Sequence, residues 1–124
     1  MREKIFAYIE KKYKAPPEYP WGEDDGAVLR HGDNRKWFAL VMNIGRVKLG
    51  LAGEDRVDVI NLKIDDMVFK DALMQDRGIF PAYHMNKEHW ITVLLDGTVE
   101  EAKVCDLIDL SFEATASKKK KTKT

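Results

Sequence analysis

Residues 57–64 read VDVINLKI, and the alternation in this stretch decides the fold. A period of two puts Asp58, Ile60, Leu62 and Ile64 on one side of a strand and Val57, Val59, Asn61 and Lys63 on the other. The first set is the better core face. The second ends in Asn61 and Lys63, which are expected to project from the opposite side. Just upstream, KWFALVMN at 36–43 is apolar on both sides, as a central strand is. Between the two, 43–55 holds three glycines with Arg46 and Lys48 and reads as a partly extended excursion. Further back, Ala27 to His31 is a short strand closed by the turn signal Gly32-Asp33-Asn34.

Downstream, Asp65 is the expected N-cap of a short helix over 66–76. Met67, Phe69, Leu73 and Met74 supply its apolar contacts, and Gly78 ends it. Ile79 to Met85 and Trp90 to Leu95 read as two more strands joined by a turn at 85–88. Helices bracket the whole. Ile5, Tyr8, Ile9 and Tyr13 recur at helical spacing over 2–13, up to Ala15-Pro16-Pro17. Tyr19 and Trp21 are large for the stiff loop that follows, so at least one is expected to pack on the body. At the other end, Asp96-Gly97 turns the chain and Thr98-Val99-Glu100-Glu101 has the form of a capping box. The helix it would open runs from 99 to about 116, with Val104, Leu107, Ile108 and Phe112 facing inward. The order α-β-β-β-α-β-β-α, with short turns between strands, predicts an α+β fold. Its antiparallel sheet carries helices on one face and forms a single domain over 1–116. Residues 117–124 are polar and lysine-rich, and are predicted to be a disordered tail.

Composition narrows the function. The chain has 124 residues, 44% hydrophobic and 34% charged. No apolar run approaches the roughly 18 residues of a membrane span. MREKIFAYIEKKYK has no signal-peptide character, and Cys105 is the sole cysteine, so a cytoplasmic protein without disulfides is expected. The net charge of zero conceals an imbalance. Without Lys118, Lys119, Lys120, Lys121 and Lys123 the 21 basic residues fall to 16 against 21 acidic ones, a body with five surplus carboxylates. Contact with nucleic acid therefore needs a local basic patch or the tail.

Residues 81–91, PAYHMNKEHWI, concentrate the chemistry-bearing side chains. His84 and His89 lack neighbours at ligand spacing, and zinc sites usually need three or four protein ligands, so no metal is expected. Neither serine nor the cysteine has an adjacent base, so no catalytic residue and no cofactor is expected. Binding fits better. Tyr83, His84, Asn86, Lys87, His89 and Trp90 lie in one run, with Asn61, Lys63, Trp21 and Trp37 as neighbours. Rings beside cations and amides can hold a base and a phosphate together.

Several strings carry a family resemblance: Pro20-Trp21-Gly22, Lys36-Trp37-Phe38-Ala39, Asn61-Leu62-Lys63, Tyr83-His84-Met85-Asn86-Lys87-x-His89-Trp90, and Asp96-Gly97. On these the chain resembles the MmcQ/YjbR-like proteins, small bacterial domains related in fold to CyaY and to type III secretion chaperones. The resemblance extends from the first helix to about Phe112. It implies a DNA-binding protein with two β-hairpin wings. On that reading Arg30, Arg35 and Lys36 belong to the first wing and Lys87 to the second. Arg46, Lys48, Lys63 and the tail lysines Lys118, Lys119 and Lys120 are further candidates for phosphate contact, weak and without sequence preference. The chaperone-like fold allows an alternative, an adaptor that binds a protein or peptide partner through apolar residues such as Met42, Met67, Met74 and Met85.

Overall fold

The structure, a computed structural model, describes residues 1–22 and 26–117. Helix α1 (Arg2–Tyr13) is followed by β1 (Ala27–Arg30), β2 (Trp37–Gly45), a 3₁₀ turn (Arg46–Leu49) and β3 (Arg56–Lys63). Then come α2 (Met67–Leu73), β4 (Ile79–Pro81), β5 (Trp90–Leu94) and α3 (Glu101–Thr115). The five strands form one antiparallel sheet in the order β1-β2-β3-β5-β4. The fold is α+β with the element order the sequence predicts.

The alternation in β3 works on both sides. Ile60, Leu62 and Ile64 join the larger core with Ile5 and Ile9 of α1, Leu73 of α2, and Val104, Leu107 and Ile108 of α3. This is the helical face. Val57 and Val59 join a second cluster with Val28, Leu40, Met42, Ile44 and Leu94 on the other face. Among the described residues no α-helix covers that second face. Leu49 and Leu51 beside the 3₁₀ turn, Trp37, Phe80, Tyr83 and Met85 pack over it instead. Of the expected 43–55 excursion, 43–45 continue β2, and 46–55 form a 3₁₀ turn and loop that supplies part of a lid. Arg46 ties it to the turn before α3 through Asp96, 3.7 Å away.

A register shift between Leu29 and Arg30 puts an extra residue into β2. With it, Phe38 and Ala39 both enter the helical-side core while Trp37 packs on the second face. Where β2 and β3 part, α3 fills the gap. The Ser111 hydroxyl donates to the Phe38 carbonyl at 2.6 Å and accepts from the Lys63 amide at 2.8 Å. Two buried backbone groups are satisfied by one side chain.

Several boundaries differ from expectation. The α2 cap is Asp66, which accepts from the Phe69 amide at 3.0 Å; Asp65 instead lies 3.9 Å from Lys63. Met67 and Phe69 are exposed, and Leu73 is the buried apolar anchor. The Thr98–Glu101 box does not form. The Thr98 amide donates to Asp96 Oδ1, and α3 starts at Glu101 without a side-chain cap. The reason is Val99, which is buried beside Gly78 and must be seated before the helix begins. Gly78 has a φ of +88°, and a Cβ there would meet Val99 at 2.8 Å. Tyr19 packs on the larger core, as expected of that loop, while Trp21 stays half-exposed. No helix among the described residues is long and apolar enough to cross a membrane. Lys118, Lys119, Lys120 and the rest of the predicted tail beyond Ser117 lie outside the described residues.

One polar cluster locks α1 to α3. Tyr13 and Tyr8 donate to Asp109 at 2.6 and 2.8 Å, and the Lys12 ammonium reaches it at 2.9 Å. Tyr13 also stacks on Phe112, ring centres 3.8 Å apart. Burial pushes the Asp109 carboxyl up, but hydrogen bonds from Tyr13, Lys12 and Tyr8 outweigh this and hold it below its ordinary range. A carboxyl held lower in the folded chain stabilises the fold above its unfolded pKa, and that contribution vanishes as pH falls through the folded value. Asp109→Asn is therefore expected to lower stability at neutral pH, with the deficit shrinking below about pH 4. Urea titrations across that range check this; a deficit that is undiminished in acid would assign the loss to packing.

Candidate functional site

The open side of the sheet, the face without helices, is organised by a row of cross-strand pairs. Leu40 faces Asn61, Asn61 faces Thr92, and Thr92 faces Phe80. Asn61 and Thr92 are both fully buried. The Thr92 hydroxyl donates to Asn61 Oδ1 at 2.6 Å and accepts from the Tyr83 amide at 2.9 Å. Asn61 Nδ2 closes the ring by donating to the Tyr83 carbonyl at 2.8 Å. Both backbone groups of Tyr83 are thus held by side chains of the sheet, and the 82–89 loop folds over the open face. This corrects two expectations. Asn61 does not project as a ligand group; it is a buried clamp. Strand β4 ends at Pro81 rather than Met85, because Tyr83 spends its backbone bonds on Asn61 and Thr92 and His84 turns the chain with a φ of +64°.

Past the clamp, the loop has a division of labour. Asn86 makes its own turn, its side chain accepting from the Glu88 amide at 2.7 Å and its carbonyl from the Trp90 amide at 3.0 Å. The His89 carbonyl accepts from the Ile64 amide, adding a rung beyond β3. His89 is half-buried, and its Nδ1 is buried without a hydrogen-bond partner. His84 is exposed, its ring 4.0 Å from that of Tyr83. Among the described residues no three His, Cys, Asp or Glu side chains come together as a metal site. Cys105 is half-buried, and burial first, then the carboxylates of Glu101, Asp109 and Asp106, push its thiol up, away from the reactive thiolate.

The register shows which candidates share a place. Arg30 pairs with Trp37 and Lys63 with Trp90, so β1 and β3 end where β2 and β5 begin. The turn 31–36 and the loop 82–89 consequently leave the same end of the sheet. The last turn of α3 reaches that end too: Asn34 Nδ2 donates to the Thr115 carbonyl, and His31 Nε2 lies 2.8 Å from the Thr115 hydroxyl. Trp21 meets Trp37 edge-on at 5.6 Å, and the Arg30 guanidinium sits 5.5 Å from the Trp37 ring. Trp37, Tyr83 and Trp90 are half-buried, the first two packed at the border of the second core. This end therefore gathers Trp21, Arg30, Arg35, Lys36, Trp37, Lys63 and the 83–90 residues.

Arg46 and Lys48 are not part of it. They sit in the connection between β2 and β3, at the opposite end of the sheet. Nor are all the gathered cations equally available. Glu18, a residue that sequence reasoning passed over, takes Arg30 at 3.1 Å and Arg35 at 3.1 Å. It is placed for this by its ladder bonds to Val28, a pairing across the proline-rich loop that leaves no local signature. Lys63 has Asp65 at 3.9 Å. Lys36 and Lys87 are exposed and have no ion-pair partner among the described residues.

Known proteins agree with this architecture. The family model described as YjbR matches residues 10–114. The uncharacterized protein YyaQ of Bacillus subtilis is 43% identical over 115 residues, covering 92% of this chain and 97% of that protein. The uncharacterized protein YjbR of Escherichia coli is 27% identical over 78 residues, 62% of this chain and 66% of that protein. A crystal structure of a Pseudomonas syringae protein superposes with a TM-score of 0.89 at 47% identity, covering 94% of this chain and 99% of the other. A Deinococcus radiodurans structure described by the domain DUF419 shares the fold at 24% identity and a TM-score of 0.70, covering 96% of this chain and 80% of that one. The chain belongs to the YjbR family.

The clamp makes a measurable claim. Thr92→Val keeps the shape but strips the Tyr83 amide and Asn61 Oδ1 of their partner, at a cost of about 1–3 kcal/mol. Hydrogen exchange of the Tyr83 amide is expected to accelerate more than that of the β3 amides. Equal acceleration throughout would mean that the threonine serves global packing only.

Proposed function

We propose that this YjbR-family chain is a non-enzymatic nucleic-acid-binding module that grips DNA at the end of its sheet where both turns emerge. The observation that supports the reading is the convergence there of Trp21, Trp37, Tyr83 and Trp90 with Lys36, Lys63 and Lys87. Phosphates would meet the lysines. Bases freed from pairing would stack on accessible ring faces, an interaction worth about 1–3 kcal/mol per base. Lys118 and the lysines after it lie outside the described residues; in sequence they add five positive charges that favour contact with phosphates. Arg30 and Arg35 contribute less, because both are paired with Glu18, whose single negative charge offsets one of their two positive charges. Binding of this kind is electrostatic, without sequence preference, with a Kd of about 10⁻⁴–10⁻⁶ M at physiological salt.

The test is fluorescence anisotropy with labelled oligothymidine and with a duplex, between about 50 and 200 mM salt. The single strand is expected to bind more tightly, and each of Lys36→Ala and Lys87→Ala to flatten its log–log salt slope by about 0.7. Glu18→Gln releases two guanidinium groups and is expected to strengthen binding several-fold. No binding of either nucleic acid at low salt would refute the proposal. Binding lost entirely with residues 117–124 would remove the sheet end from it.

A further inference from the structure

Round the corner from the sheet end, on the helical side, lies a groove of quite different character. Ile64 and Ala114 are among its lining, and Phe69 of α2 and Leu110 of α3 line it too, around about 350 Å³. Phe69 is 39% exposed and Leu110 45%; Met67 and Val68 of the same short helix are exposed as well. Four of the six exposed large apolar side chains among the described residues thus sit on or beside this groove. Such grouping on a small domain marks a contact surface rather than the scattered exposure of an ordinary exterior. The polar lining has one sign: Asp65, Asp66 and Glu113. Asp66 is committed to capping α2 and Asp65 lies near Lys63, but Glu113 forms no ion pair among the described residues.

We propose that this groove is a docking site for a protein partner, which inserts one or two bulky apolar side chains between Phe69 and Leu110 and sets flanking lysines or arginines against Asp65, Asp66 and Glu113. Charge selects this occupant. A carboxylate rim repels anionic lipid and phosphate backbones, and it rejects acidic peptides by the same rule. The chain's own SKKKKTKT segment has the cations but no apolar anchor, so it satisfies only half of the site. Binding would follow the pattern of a short segment laid in a groove and held by spaced anchors. The inference does not rest on the nucleic-acid reading, which uses other residues, the rings and lysines at the sheet end.

Three labelled hexapeptides test it by fluorescence polarisation: Lys-Lys-Leu-Phe-Lys-Lys, Lys-Lys-Gly-Ser-Lys-Lys and Glu-Glu-Leu-Phe-Glu-Glu. The first is expected to bind saturably, the other two at least about tenfold more weakly. Leu110→Ser and Phe69→Ser, both at exposed positions and checked for fold by circular dichroism, are each expected to weaken the first peptide by about tenfold. Glu113→Gln is expected to weaken it less. Val47→Ser, which removes an exposed apolar side chain at the far end of the sheet, leaves it unchanged. No saturable binding at millimolar peptide, equal binding of all three peptides, or binding that survives Leu110→Ser would each overturn the proposal. So would concentration-dependent self-association abolished by Leu110→Ser, which would make a second copy of this chain the occupant.

Discussion

A sheet with two apolar faces needs two covers, and the α-helices among the described residues supply only one of them. The hydrophobic requirement on the second side is the same, since exposed Leu40, Met42 and Val59 would each forfeit about 1.5–3 kcal/mol. The cover must then come from loops, which bring backbone groups that need partners. Asn61 and Thr92 answer that need. They are opposite one another on β3 and β5, they hydrogen-bond to each other, and between them they satisfy both backbone groups of Tyr83. One residue of loop is thereby pinned at the centre of the open face. The loop leaves the sheet from that point and rejoins it where the His89 carbonyl accepts from the Ile64 amide and Trp90 pairs with Lys63.

This explains why the chemistry-bearing run sits where it does. The polar row is buried, so its residues position others and touch no ligand. What remains accessible is the rim: half-buried rings and the lysines of the turns. Rigid placement by the sheet, with variable groups at its edge, is how small scaffolds present binding surfaces. The Ser111 hydroxyl does similar work from the helical side, bridging β2 and β3 where their ladder opens. Together the two devices fix the strand ends from which both turns leave.

The sequence is legible wherever a feature is periodic and local. Strand β3, the flanking strands, the inner stripe of α3 and the order of elements all follow from alternation or helical spacing. Features set by a distant partner are not legible. Asn61 looks outward-facing because it is polar and on the weaker side of the alternation; its burial depends on Thr92, thirty-one positions away and opposite only once β3 and β5 pair. The Asp65–Asp66 doublet offers two caps, and the choice between them is made by which carboxylate reaches the Phe69 amide. Arg46 and Lys48 look like companions of Arg35 and Lys87 in a list of basic turns. The strand register sends them to the other end. Glu18 escapes notice for the same reason: its hold on Arg30 and Arg35 spans 12 and 17 positions.

Charge shows why whole-chain totals mislead for a domain this small. Five surplus carboxylates in the body would argue against any polyanion if they were spread evenly. Their effect is local, because exposed charges are largely screened beyond about 10 Å at moderate salt. Near the sheet end, Glu18 and Asp65 are engaged with cations, and the two turns expose Lys36 and Lys87 alongside the carboxylates of Asp33 and Glu88. Round the corner, Asp66 and Glu113 edge an apolar groove with no lysine in its lining. The Lys63–Asp65 pair stands at the border between the two surfaces. A neutral total thus conceals a sheet end with exposed lysines and, beside it, a groove edged by carboxylates.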